Sequence, residues 1–367
     1  MVFVLKTFTL LVYPLQGIDI SSCLLIVSTM STALNNQPGP STNDLMTLEP
    51  AAVTSLVTTK LAMWPSEDEG AVSRRRMHMP EMFIERRRLH FENTAFVVPL
   101  NLPPRGSPAP EAILQYGNRL QSVATEEIQP GMVAHAVAYI ETWNGSERGY
   151  SGTGAVIYGN IVVTAGHVLL SESGQSHVTA VRVTVGESVT SESRHGICIA
   201  FNGNWYATNS GVNDMAFIKL DCPFHTVQPL AYCQSPLISE GTIDTLAFGF
   251  PGKTDRSVSS GPLYKSKAPL TYNQNLKMFE HKGDTEKGSS GGPLIDASGQ
   301  VIALHWGYCG INLAVTIDRN GNDFVPFLRI LGVPILDATL PEQQRNISIE
   351  LIGAQGADGV VYAWYKH

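Results

Sequence analysis

The chain has 367 residues, of which 43% are hydrophobic and 16% are charged, values typical of a folded globular protein and not of a disordered one. Its formal net charge of −7 argues against a general nucleic-acid binder, which would need a basic surface. Its five cysteines are too few for a small disulfide scaffold, and no Cys-x-x-Cys pair points to zinc.

The first 121 residues differ in composition from the rest of the chain. An apolar run after Lys6 and a second run from Cys23 to Met30 resemble a secretion signal, although Pro14 interrupts the first. Residues 1–33 are therefore a candidate signal segment. Residues 34–121 are rich in Pro, Thr, Ser and charge clusters, and we expect a largely irregular leader or propeptide. Secretion is expected, and an intracellular location is the alternative.

From about residue 130 to 332, short segments rich in Val, Ile, Phe and Tyr alternate with Gly, Asn and Ser. This pattern predicts an all-β sandwich or barrel, because helical periodicity is missing before a single predicted C-terminal helix over 323–331. Gly159-Asn160 is a two-residue link of the kind that joins hairpin strands. Residues 333–367 form a tail to which the pattern assigns no role. The predicted strands are 134–142, 153–158, 161–164, 178–185, 216–220, 245–250 and 301–304.

Ser290 is a candidate nucleophile. It lies in the segment Gly288-Ser289-Ser290-Gly291-Gly292-Pro293, whose glycines let the backbone turn tightly and approach a ligand. In acyl transfer, backbone N–H groups must hold the oxyanion that forms when a serine attacks a carbonyl. The amides of Gly288 and Ser290 are the natural donors. Taken alone, the segment is more typical of a loop between strands.

Two further residues complete a candidate catalytic set. His167 follows an apolar strand ending in Thr164-Ala165-Gly166, a place where the sheet holds the ring while it reaches the surface. Asp214 comes directly before an alternating strand, and it is a candidate to accept the ring N–H of His167. Each residue alone is also typical of a structural role.

The surroundings of Ser290 argue against a different hydrolase fold. The segment also matches Gly-x-Ser-x-Gly, the nucleophile elbow of α/β-hydrolases, which needs a helix after the serine. Gly291-Gly292-Pro293 is a poor helix start. The acid and base would have to be Asp296 and His305, which lie too close together for the intervening strand and helix units.

The three segments occur in the order His, Asp, Ser, each in the context of a strand. Over roughly residues 130–332 the chain thereby resembles the trypsin-like, chymotrypsin-fold serine proteases. The resemblance implies two six-stranded antiparallel β-barrels, with His167, Asp214 and Ser290 as a catalytic triad in the cleft between them. It implies a protease domain over 122–332 and neither a metal nor an organic cofactor.

Details resemble the V8-type glutamyl endopeptidases within that family. Ala247–Gly252 and Val301–Gly307 are similar to two of their segments, and Thr285 and His305 match residues that bind a substrate glutamate in the S1 pocket. The resemblance also implies a mature N-terminus near Ser122 or Val123. Ser289 stands where the digestive enzymes carry an activating aspartate, and no cysteine flanks His167.

We therefore expect a monomeric, secreted serine endopeptidase that prefers Glu or Asp at P1 and acts on proteins or peptides, without nucleic acid or stable membrane association. The alternatives are a catalytically silent binding protein on a protease fold and a serine protease with a non-acidic P1 preference. Four cysteines in the later body are either disulfide-bonded or free, and the sequence does not choose: Cys198, Cys222, Cys233 and Cys309.

Overall fold

The structure of the chain is a computed structural model. The structure describes residues 93–102, 120–170, 177–186, 190–237, 241–251, 262–355 and 359–366. The predicted signal segment and most of the predicted leader lie outside these residues. Within the described ranges, no helix is both long enough and apolar enough to cross a membrane.

The described residues form mainly β-strands, as the sequence predicts. In chain order the strands are β1 (Thr94–Pro99), β2 (Gln121–Ser122), β3 (Val137–Asn144), β4 (Glu147–Tyr158), β5 (Ile161–Thr164), β6 (Ala180–Val185), β7 (Glu192–Asn202), β8 (Ala216–Leu220), β9 (Thr245–Gly249), β10 (Tyr264–Lys267), β11 (Leu270–Asn273), β12 (Met278–His281), β13 (Pro293–Asp296), β14 (Val301–Tyr308), β15 (Asn312–Thr316), β16 (Ile347–Gln355) and β17 (Gly359–Lys366). The described residues also form two α-helices, α1 (Gly203–Thr208) and α2 (Phe324–Ile330).

Six antiparallel strands form a closed barrel in the first half of the described chain. They run in the order β7-β6-β3-β4-β5-β8, and β8 pairs again with β7. Every residue of β5 is buried, because this strand is paired on both sides and faces the core. The interior is filled by aliphatic side chains, among them Ile140, Val162, Val183, Ile199 and Ile218.

The second sheet runs in the order β11-β12-β15-β14-β13-β9-β10-β2. Only Ala268 and Pro269 separate β10 from β11, so these two strands act as one bent strand. A single bridge between Ile243 and Leu270 brings the β9 side of the sheet back towards β11. The sheet thus curls around a small core that includes Phe279, and the predicted all-β, two-barrel fold class is confirmed, with the second barrel closed by one bridge instead of a full ladder.

Three strands extend the first barrel at its β7 edge. β1 pairs with β7 on one side and with β17 on the other, and β16 pairs with β17. Phe96 on β1 is fully buried against Tyr206, with their ring centroids 4.2 Å apart. The expected irregular leader therefore contains one regular, buried strand, and the tail of unassigned role supplies the hairpin beside it.

The predicted C-terminal helix is confirmed as α2. Its Phe327 ring stacks on Phe217 of β8 at a centroid distance of 4.7 Å, and Phe324 packs edge-on against the same ring at 5.0 Å. Because α2 follows the second sheet in the chain and packs on a strand of the first barrel, it ties the two halves of the fold together.

Candidate active site

The His167 and Asp214 side chains meet at one end of the first barrel. His167 lies in a 3-10 turn, Gly166–Leu169, directly after β5, and Asp214 follows a second 3-10 turn and precedes β8. The Asp214 carboxylate accepts the His167 ring at Nδ1 (2.7 Å to Oδ2) and the His167 backbone N–H (2.9 Å to Oδ1). Both carboxylate oxygens therefore hold the histidine, which fixes the orientation of its ring.

Burial and charge act in opposite directions on the pKa of His167. Partial burial alone would lower it, because desolvation disfavours the imidazolium. The charge of Asp214 and its hydrogen bond favour the imidazolium and prevail, so the pKa of His167 is raised above its usual value. The Asp214 side chain is almost completely buried, which strengthens this pairing.

Trp306 is a third contact of the Asp214 carboxylate. Its indole Nε1–H donates to Oδ2 at 2.8 Å, the oxygen that also binds the His167 ring. The β14–β15 ladder shifts register between His305 and Gly307, so Trp306 is the extra residue of a bulge. The bulge lets the indole turn away from the sheet and lie against Gly211 in the turn before Asp214.

Ser290 lies in the loop before β13, next to the histidine-bearing segment. A Cβ placed on Gly291 would approach the Ala165 backbone nitrogen to 2.6 Å, so the two backbones are in close contact. The Ser290 hydroxyl donates to the Trp306 carbonyl oxygen at 3.4 Å. Among the described residues no hydrogen bond joins Ser290 Oγ to His167. Trp306 thus contacts both Asp214, which holds the histidine, and Ser290, the candidate nucleophile.

The loop around Ser290 presents two free amides. Gly288 has a φ of +97°, a left-handed conformation that glycine adopts without steric cost. Within the described residues, the N–H groups of Gly288 and Ser290 have no hydrogen-bond partner, whereas those of Ser289, Gly291 and Gly292 are bonded. Two unpaired amides, one on each side of the bonded Ser289 amide, suit the binding of an oxyanion.

A polar cluster lies on the second sheet beside this loop. His281 Nε2 and His305 Nδ1 are 3.1 Å apart, and both side chains are almost completely buried. The Thr285 hydroxyl donates to Asn312 Oδ1 at 3.1 Å, and Asn312 is the register partner of His281 across the β12–β15 ladder. Thr285 is therefore bonded to Asn312, and His305 is bonded to His281. The two pairs are neighbours, because Asn312 and His281 lie opposite each other in the ladder.

Burial keeps both histidines of the cluster neutral near pH 7. Desolvation lowers the pKa of His281 to about 4. Desolvation, together with the nearby His281 and His167 rings, lowers the pKa of His305 to about 3. A neutral imidazole still has one N–H to donate, so this cluster offers hydrogen bonds without a permanent charge.

Two contributors to the site have no distinct signal in the sequence. Thr153 donates to the Gly288 carbonyl oxygen 135 residues away, and His281 contacts His305 24 residues away. Neither lies in a recognisable motif. Trp306 bonds to a carboxylate 92 residues away, and its signal in the sequence is its place beside His305 in the segment Val301–Gly307.

Among the described residues, no disulfide joins Cys198, Cys222, Cys233 and Cys309 to one another. Within the described ranges, no group of three or more His, Cys, Asp or Glu residues is placed to hold a metal ion.

Residues 152–304 match the family model of the trypsin-like peptidase domain. A solved structure of a Glu endopeptidase in complex with MPD aligns with a TM-score of 0.50 and 21% identity, over 58% of this chain and 98% of that chain. Protease Anisep from Arthrobacter nicotinovorans aligns with a TM-score of 0.42 and 16% identity, over 51% of this chain and 92% of that chain. No match was found among curated protein sequences. The chain therefore resembles the trypsin-like serine proteases and has their fold, as the three sequence segments predict.

Proposed function

We propose that the chain is a serine endopeptidase in which His167, Asp214 and Ser290 form the catalytic triad. The observation that carries the proposal is the Asp214 carboxylate, which holds His167 through two hydrogen bonds beside a loop with two unpaired amides around Ser290. The match of residues 152–304 to a trypsin-like peptidase domain supports the same class of reaction.

In the proposed mechanism, His167 takes the proton of the Ser290 hydroxyl as Ser290 Oγ attacks the carbonyl carbon of the scissile bond. The Gly288 and Ser290 amides hold the oxyanion that develops. The resulting imidazolium gives its proton to the amide nitrogen of the scissile bond. The C–N bond then breaks, the amine leaves, and Ser290 remains joined to the substrate as the acyl-enzyme. A water then attacks the acyl-enzyme with His167 again as base, and the peptide acid is released. Rotation of the Ser290 side chain away from the Trp306 carbonyl precedes the first step.

We propose further that the polar cluster selects Glu or Asp at P1. If His281 donates Nε2–H to His305 Nδ1, the His305 proton lies on Nε2, which has no hydrogen-bond partner among the described residues. The His281 Nδ1 is then unprotonated, consistent with its being buried without a partner. A carboxylate in the pocket would accept from His305 and from the Thr285 hydroxyl, since a buried anion needs several donors.

Labelling and substrate profiling test the two parts of the proposal separately. A fluorophosphonate should label the wild-type chain and fail to label Ser290→Ala. A chain that is folded, processed and never labelled would instead favour the catalytically silent binding protein.

A peptide library with Glu, Asp, Arg or Phe at P1 tests the pocket. The wild type should cleave after Glu and Asp, and Thr285→Val should raise KM for the Glu substrate about tenfold, the cost of one hydrogen bond to a charged group. Equal cleavage after Arg or Phe would retain the serine protease and rule out the acidic pocket.

A further inference from the structure

Thr153 is a fully buried threonine of β4 that contacts the loop carrying Ser290. Its hydroxyl donates to the Gly288 carbonyl oxygen at 2.7 Å and accepts the Phe250 backbone N–H at 2.9 Å. Its own backbone N–H donates to the Ser290 carbonyl oxygen at 2.9 Å. One residue of the first barrel thus bonds to the loop on both sides of Ser289.

Three N–H groups of the loop donate to carbonyl oxygens within the second half of the fold. The Ser289 N–H donates to the Glu286 carbonyl at 3.0 Å, and the Gly291 N–H donates to the His305 carbonyl at 2.7 Å. The Gly292 N–H closes a turn onto the Ser289 carbonyl at 2.9 Å. Together with the two bonds from Thr153, these contacts hold the peptide planes that flank the free amides of Gly288 and Ser290.

We infer that Thr153 is a positioning residue for the oxyanion-binding amides, and that its hydroxyl fixes the orientation of the Gly288–Ser289 peptide. The inference rests on the proposed function, because it assigns those amides to oxyanion binding. Thr153 itself does not touch the substrate in this arrangement. It acts by limiting the backbone rotation that would turn the Gly288 N–H away from the Ser290 N–H.

The loop backbone packs closely against the backbones of Thr153 and Phe248. A Cβ on Gly291 would lie 2.4 Å from the Thr153 carbonyl oxygen, and a Cβ on Gly292 would lie 2.1 Å from the Phe248 carbonyl oxygen. Removal of the Thr153 hydroxyl takes away the partner of the Gly288 carbonyl oxygen and of the Phe250 N–H, and the loop gains freedom to rearrange.

The test compares Thr153→Val, which removes the hydroxyl at nearly constant volume, with Thr153→Ser, which retains it. For Thr153→Val we expect kcat to fall by at least about tenfold with KM within about twofold of wild type, because the loss is confined to the transition state. The affinity for a peptide aldehyde, whose hemiacetal oxygen occupies the oxyanion site, should fall by the same factor, while the affinity for the product peptide stays unchanged. Thr153→Ser should restore both values.

Hydrogen–deuterium exchange provides a readout that is independent of activity. Amides of the segment 289–292 should exchange faster in Thr153→Val than in the wild type or in Thr153→Ser. Unchanged exchange in Thr153→Val overturns the inference even if the wild type is inactive. An active wild type with an equally active Thr153→Val overturns it as well, whereas a wild type that is neither labelled nor active contradicts the proposed function instead.

Discussion

Trp306 Nε1 and His167 Nδ1 both donate to the same oxygen of Asp214, at 2.8 and 2.7 Å. The indole belongs to the second sheet and the histidine to the first barrel, so the carboxylate is held from both halves of the fold. The hydrogen bond from Trp306 partly neutralises the charge on Asp214 Oδ2, so this oxygen stabilises the imidazolium of His167 less strongly. Trp306 therefore positions Asp214 and also limits how far the pKa of His167 is raised.

Trp306→Phe tests this relationship. Loss of the donor should lower kcat about tenfold, in the range of one hydrogen bond to a charged group. It should also move the acid limb of the pH profile of kcat/KM to higher pH, because the uncompensated Asp214 charge raises the pKa of His167 further. Hydrolysis rates of a peptide substrate between pH 5 and 9 measure both effects. A loss of thermal stability with an unmoved acid limb would assign Trp306 a purely structural role.

Three buried asparagines link the Asp214 turn to the second sheet. The Asn322 amide donates to the Val212 carbonyl at 2.9 Å and to the Thr316 carbonyl at 3.0 Å, and its oxygen accepts from Asn202 and Asn213 at 3.1 Å each. All four hydrogen-bonding positions of this side chain are thus used.

Asn322→Asp keeps the shape of the side chain and removes its two donors. The buried carboxylate would face two carbonyl oxygens, so the free energy of unfolding should fall by about 3 kcal/mol. Urea unfolding followed by tryptophan fluorescence measures the loss. Asn275→Asp, at an exposed position, is the control and should be neutral. Equal stability of both variants would mean that the network contributes nothing.

β1 should stay bound after the chain is cut between it and β2. The strand is paired on both sides and buries Ala95, Phe96 and Val98. These contacts do not depend on the covalent connection to β2, so the strand should remain paired after the cut. A specific protease site inserted between Leu102 and Leu120 allows the test. We expect the two fragments to elute together in native size-exclusion chromatography and to separate in denaturant.

Phe96→Asp in the cut protein is the control for this experiment, because a carboxylate in the place of a fully buried ring should release the fragment. If the unmodified fragment separates under native conditions, β1 belongs to a leader that is removed, as the composition of residues 34–121 predicts.

Acid should destabilise the protein through His281 and His305. An unfolded histidine takes up a proton near pH 6.5, whereas burial lowers the folded pKa of His281 to about 4 and that of His305 to about 3. Between these values the unfolded state binds more protons, so stability falls as the pH falls from about 6.5. The raised pKa of His167 acts in the opposite sense.

Urea unfolding of wild type and His281→Gln at pH 7.5 and pH 5 tests the contribution of this histidine pair, because the opposing effect of His167 is present in both proteins. The variant should lose less stability than the wild type on acidification. An identical loss would show that His281 is protonated in the folded protein at pH 5.

Local sequence was sufficient to predict the triad candidates and the fold class. His167, Asp214 and Ser290 lie in short segments next to strands, and strand periodicity depends on neighbouring residues only. β5 and β8 have the bounds that the pattern predicts, and α2 lies within its predicted range.

The contacts that assemble the site were decided by the tertiary structure. Thr153 bonds to a carbonyl 135 residues away, and Trp306 bonds to a carboxylate 92 residues away. β1 pairs with β17, which the sequence had assigned to a tail without a role. Alternation along a strand reports which face is buried but not which strand lies beside it, because that choice depends on how the two sheets close and pack. The sequence therefore determined which residues can do the chemistry, and only the folded chain determined which residues position them.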